Sequence, residues 1–375
     1  MSKSKLQFFA LLQSGLWDKP IDSALFAEAV NWQYILEIAK MQTVTGIVYD
    51  GINSLPSELQ PPAALMRKLH QTVIRIEQSH ELLNKHISMI VPKLEAAGIH
   101  SVLLKGQGVA QNYPNPLRRQ CGDIDLYVGR KNCNRAMQLL LSLGATTDTA
   151  THGKSPKHEG FYLGKVSVEL HFLVEKLRTP LYNKRFQRWV DEQFCEEKLL
   201  ICDINGTDVH IPTTHFNALY IFNHAYHHFI VGGTGFRQLC DWVMFLHTFH
   251  HEINWKELFI RLKSFGLLRA WQIFGCIAVD YLGLVKEEFP FYKEKHQKYA
   301  QRAAQDILSV GNFGFYNPDC GERPDSYLGG KLYSFANRIR RFYKLFPLFP
   351  KQTADHCLAF VYIGIKLVIN DLLKK

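Results

Sequence analysis

The chain has 375 residues, 47% of them hydrophobic and 13% aromatic, and 44 Lys+Arg against 34 Asp+Glu give a formal charge of +10. That apolar content excludes a disordered chain, and no apolar run reaches the roughly eighteen residues a spanning helix needs. The positive balance suits a polyanionic partner, whether nucleotide, nucleic acid or anionic membrane surface. The eight cysteines form no C-x-x-C pair and no zinc-like spacing with His. With no secretory signal legible at the N-terminus, they read as reduced thiols of a cytoplasmic protein.

Residues 1–98 read as a helical region. From Ser23 to Ala39, Leu25, Phe26, Ala29, Val30, Trp32, Ile35, Leu36 and Ile38 recur near helical spacing and predict one helix. Pro61-Pro62 marks a break, after which an apolar stripe from Leu65 to Leu94 predicts a long helix over Ala63–Ala97, stopped by Gly98.

The period changes over residues 99–175. The pattern predicts a strand at His100–Leu104, a short helix or turn at Gly108–Gln111 and a Pro-containing loop at Tyr113–Pro116. A strand at Ile124–Val128 and a helix at Cys133–Leu143, ended by Gly144, follow. Two strands near Gly160–Leu163 and Val166–Phe172 are joined by Gly164-Lys165, which resembles a hairpin turn. Because strand side chains alternate, Asp123 and Asp125 share one face while Ile124 and Leu126 take the other. Two like charges on one face repel unless a cation lies between them, and oxygen-ligated Mg²⁺ or Mn²⁺ suits such a pair. Glu169 and His171 share a face of the second hairpin strand. The basic loop Thr151–His158 reads equally as a solvated loop or as one closing over a triphosphate.

Residues 176–375 read as mainly helical. An Asn205-Gly206 turn predicts a hairpin between Leu199–Asp203 and Asp208–Ile211. Helices are expected at Phe216–Val231, bearing His224, His227 and His228, and at Phe236–Phe249. His224 and His228 have the spacing of a helical metal pair, yet no zincin-type Glu accompanies them, so they read as braces of the core. Arg237 and Asp241 have the spacing of an intrahelical ion pair. Gly232–Gly235 lacks the G-K-[ST] ending of a P-loop. In the tail, the basic run beside Phe346–Pro350 reads as a core helix with an Arg-rich exposed face in preference to a membrane-docking segment.

Lys105-Gly106, Tyr113-Pro114, Pro116, Arg118 or Arg119, and the run Asp123–Val128 together resemble a bacterial nucleotidyltransferase family with a DNA polymerase β-like catalytic core. The likeness implies an α+β fold, in which a small mixed sheet is flanked by N- and C-terminal helical regions. It implies Asp123, Asp125 and Glu169 as catalytic metal ligands for Mg²⁺ or Mn²⁺, and Lys105, Gly106, Arg118 and Arg119 as nucleotide-binding residues. The implied reaction moves a nucleoside monophosphate from an NTP to an unidentified acceptor hydroxyl with release of pyrophosphate. Gly106-Gln107 stands where relatives usually carry Gly-Gly or Gly-Ser, which keeps a non-catalytic nucleotide- or nucleic-acid-binding module as the alternative. No long basic stripe with interleaved aromatics is present to hold a template, so a polymerase is not expected.

Overall fold

The computed structural model describes residues 1–149 and 155–373. Helices Lys3–Trp17, Trp32–Met41 and Thr45–Asn53 pack together near the N-terminus. The first and third approach to backbone contact because glycines face across the crossing. A Cβ at Gly15 would lie 1.9 Å from Ile47 O, and one at Gly51 would lie 2.0 Å from Leu11 O. The single helix expected over Ser23–Ala39 is not formed. Asp22 instead caps a 3₁₀ turn at Ser23–Phe26, and Asn31 caps a separate helix by accepting from Tyr34 N. Short polar side chains that bond nearby N–H groups start helices better than they continue them.

Helix Ala63–Ala96 has 34 residues and spans on the order of 50 Å. It belongs to two cores: Leu69 and Val73 join the large helical core, while Leu83, Ile87, Ile90, Val91 and Leu94 pack on the sheet. Pro92 falls in its last turns, where it supplies no N–H to the helical ladder.

The sheet contains β1 (Val102–Leu103), β2 (Asp123–Tyr127), β3 (Thr146–Thr147), β4 (His158–Leu163) and β5 (Val166–His171), in the order β1-β2-β5-β4-β3. β2 and β5 run parallel, and the other pairings are antiparallel. Helix Gly129–Ser142 lies in the connection between β2 and β3. Ile124, Leu126, Phe161, Val168 and Leu170 are fully buried on one face, against the second half of helix Ala63–Ala96 and helix Gly129–Ser142. The opposite face carries Asp123, Asp125, Glu169 and His171 by alternation. A second hairpin, β6 (Leu200–Ile204) and β7 (Thr207–Ile211), turns at Asn205-Gly206, both with positive φ, and sends Ile204 and Val209 into the sheet core.

The rest is helical and rich in buried aromatics, including Trp189, Trp242, Trp271 and Phe222. Helices Thr214–Val231 and Phe236–Phe249 pack on each other. In the tail, Phe342, Leu345, Leu348 and Phe349 enter the large core. Arg341 is buried, 2.6 Å from Asp306, while Arg340 stays exposed, so the basic face is only partly outward. The architecture is α+β, with small sheets flanked by helices. All eight cysteines are free, and among the described residues no helix is long and apolar enough to cross a membrane.

Candidate active site

β1 ends at Leu103, and Gly106, with φ 66°, turns the chain sharply into helix Gln107–Ala110. That left-handed backbone favours glycine and puts Lys105 over the acidic face of the sheet. Lys105 Nζ lies 3.2 Å from Asp125 Oδ2 and 3.5 Å from His224 Nε2 on helix Thr214–Val231. The parallel register sets Asp125 opposite Glu169, so ligand oxygens of Asp123, Asp125 and Glu169 all lie within 4.8 Å of one another. His171 Nε2 lies 2.9 Å from Asp125 Oδ1 and 3.2 Å from Glu169 Oε2. His158, directly opposite His171 on β4, brings Nδ1 to 3.2 Å from Glu169 Oε2.

The charges act on one another strongly because the site is buried. The neighbouring Asp125 charge, and then burial, hold the Asp123 carboxyl above its ordinary value. Burial alone would raise Asp125 too, but Lys105 and the His171 hydrogen bond outweigh it and hold Asp125 below the usual carboxylate range. Lys105 is likewise held above its ordinary value, with Asp125 and Asp123 outweighing its burial. His224 is pushed well below its ordinary value by burial and Lys105, and His228 for the same reasons falls to about 3. These imidazoles are therefore neutral near pH 7.

A narrow cleft of about 50 Å³ opens over this face, lined by Lys105, Gly106, Asp123, Asp125, His224 and Arg237 among others. That is below the roughly 300–1,000 Å³ of small-molecule sites, so a nucleotide would have to widen the cleft. Arg237 donates from Nη1 to Gln120 O at 2.8 Å, while its Nε is buried without a hydrogen-bond partner. Burial, with Arg119 nearby, depresses its pKa, which marks an under-compensated positive charge beside the carboxylates.

The four residues expected at the nucleotide do not come together. Lys105 and Gly106 line the cleft, but Arg118 turns to the N-terminal helices, 3.2 Å from Asp50 and 3.1 Å from Glu77, over the Tyr49 ring. Arg119 reaches the cleft wall but is bound bidentately by Asp241, at 2.9 and 2.6 Å. Asp241 also accepts from the Tyr113 hydroxyl at 2.7 Å. The Arg237–Asp241 pairing expected from spacing is thus replaced by Arg119–Asp241, because the buried carboxylate is better matched by a guanidinium presented edge-on from the motif loop. Of the basic loop, Thr151–Lys154 lies outside the described residues, and Lys157 pairs with buried Glu175 at 3.1 Å. Sequence reasoning missed His158 and the cleft-facing role of Arg237. Only the hairpin register, for the first, offered a signal.

The profile of a family described as uncharacterised nucleotidyltransferase matches residues 28–283. The chain belongs to that family. Among solved structures, the chain is similar to an antigenic nucleotidyltransferase-like protein from Paracoccidioides brasiliensis. Identity is 16% and the TM-score 0.33, over 55% of this chain and 96% of that one. At that distance the likeness carries no argument about mechanism. No curated protein matches.

Proposed function

We propose that this protein is a divalent-cation-dependent nucleotidyltransferase acting at the Asp123–Asp125–Glu169 cluster. One observation carries the reading: three carboxylates from two parallel strands converge within 4.8 Å, and the cleft against Asp123 and Asp125 also holds the cations Lys105 and Arg237, while its Arg119 is neutralised by Asp241. The all-oxygen donor set fits Mg²⁺ or Mn²⁺. The upward shift of Asp123, caused first by Asp125, points the same way, since the pair is short of positive charge even with Lys105 present. Asp123 and Asp125 would hold the cations, with Glu169 completing the set. When bound, the ions lower the pKa of the acceptor hydroxyl and neutralise charge on the departing pyrophosphate.

The chain's own residues do the rest. The acceptor oxygen bonds to the α-phosphorus of the NTP as the α–β anhydride bond breaks and pyrophosphate leaves, and the hydroxyl proton passes to Glu169. Lys105 and Arg237 face the phosphates, and the Gly106 amide can approach them closely because no side chain intervenes. Arg119, Tyr113 and Asp241 tie the motif loop to helix Phe236–Phe249 and so fix Arg237 relative to the carboxylates.

A second reading is a binding module that keeps the fold. The Lys105–Asp125 ion pair favours it, because it partly neutralises the site from within. Equilibrium binding of an α,β-methylene NTP, with and without Mn²⁺, tests the shared premise. Cation-dependent binding lost in Asp123→Ala/Asp125→Ala is expected. Equal binding by the double variant, or no binding by the wild type, overturns the proposal.

A further inference from the structure

Beside the all-oxygen cluster the sheet presents a different donor set. His158 and His171 face each other across the β4–β5 ladder, with ring centroids 5.0 Å apart, and Glu169 lies two residues before His171 on the same face. Gly160, opposite Glu169, contributes no side chain to the space beside that carboxylate. One nitrogen from each imidazole approaches Glu169 Oε2 to 3.2 Å, and the three ligand atoms lie within 4.8 Å of one another.

His171 Nε2 is already held by a hydrogen bond with Asp125 Oδ1 at 2.9 Å, but no such bond accounts for His158. His158 Nδ1 is buried and makes no hydrogen bond, although Glu169 Oε2 is only 3.2 Å away. The separation instead matches two ligands of one ion. Bonds of roughly 2.0–2.1 Å at tetrahedral angles set ligand atoms about 3.3 Å apart. Two nitrogens and one carboxylate oxygen suit Zn²⁺, Co²⁺ or Mn²⁺, whereas Mg²⁺ favours oxygen and water.

We infer that His158, His171 and Glu169 form a nitrogen-containing site for a borderline divalent ion, adjoining the Asp123–Asp125 carboxylates through the shared Glu169. The site rests on the transferase reading only for what the ion would do there. Its consequence for that reading is metal selectivity: full occupancy of the two adjoining sites would need a transition-metal ion, not Mg²⁺ alone.

The test uses the full chain and metal alone. Pulsed electron paramagnetic resonance of the Mn²⁺-loaded wild type should show imidazole-nitrogen couplings, and their absence overturns the proposal without any variant. Zn²⁺ affinity is then measured by competition with a chromophoric chelator for wild type, His158→Gln and Asp123→Asn, with far-UV circular dichroism checking that each folds. His158→Gln should weaken Zn²⁺ by at least about tenfold, the lower end for disturbing a metal's ligand shell, and Asp123→Asn by clearly less. Zn²⁺ binding by His158→Gln equal to wild type sinks the site. Nitrogen-coupled binding in a protein that fails to transfer nucleotide upholds the site and removes the transferase reading.

Discussion

Asp241→Ala should be among the most damaging substitutions in this protein, although Asp241 is not proposed to touch substrate. Arg119 is 5% exposed and holds Asp241 through two hydrogen bonds of 2.9 and 2.6 Å, and the Tyr113 hydroxyl adds a third at 2.7 Å. Removing the carboxylate leaves a buried guanidinium and a buried hydroxyl without their acceptor. Breaking a buried pair by deleting one partner costs about 3–5 kcal/mol, because the remaining charge is uncompensated. With an m-value of about 3 kcal/mol/M, the urea midpoint falls by on the order of 1 M. Replacing both partners, Arg119→Met with Asp241→Leu, removes the stranded charge and should recover most of the loss. Urea unfolding followed by circular dichroism for wild type, single and double variants reads all three values. A single-variant loss below about 1 kcal/mol, or a double variant as unstable as the single, refutes the reasoning that this pair is a buried, mutually dependent brace.

Lys105→Ala should raise Mn²⁺ affinity, since it removes the cation 3.2 Å from Asp125, while weakening NTP binding; calorimetry with each ligand separates the two. Arg118→Ala should leave NTP affinity unchanged, because Arg118 is engaged by Asp50 and Glu77, and should lower stability by about 1–2 kcal/mol in urea unfolding. Burial opposes the charge on Glu175, but Lys157 outweighs it and lowers its pKa from 4.5 to about 2. The ion pair therefore stabilises the fold fully above about pH 4.5 and loses that effect as pH falls toward 2, by at most about 3 kcal/mol. Unfolding curves of wild type and Glu175→Gln should accordingly converge over that window.

Much of the acidic sheet face is legible in the sequence because strand alternation is a rigid rule. Asp-Ile-Asp-Leu predicts two carboxylates on one face and two aliphatics on the other, and Ile124 and Leu126 are indeed fully buried. The Asn205-Gly206 turn is equally local, both residues taking positive φ. The Gly164-Lys165 turn fixes every pair in its hairpin, so His158 opposite His171 follows from the turn alone once the register is counted. What the sequence hides is partnership across distance. Arg118 and Arg119 are adjacent and chemically identical, yet one packs on Tyr49 and the other on Asp241. Nothing in their spacing separates them, because the choice is made by helices far away in the chain. Arg237 and Asp241 show the same limit, where helical spacing predicts a contact that a buried tertiary partner outcompetes.

The central claim is transfer of the α-phosphoryl group of an NTP at the Asp123–Asp125–Glu169 cluster. We would incubate the protein with Mn²⁺, a cell extract as acceptor source, and NTPs labelled at either the α- or the γ-phosphate, beside Asp123→Asn. The account predicts that α-label enters an acceptor, γ-label leaves as pyrophosphate, and the variant transfers neither. Incorporation of γ-label, no incorporation of α-label, or α-label transfer undiminished in Asp123→Asn would contradict it.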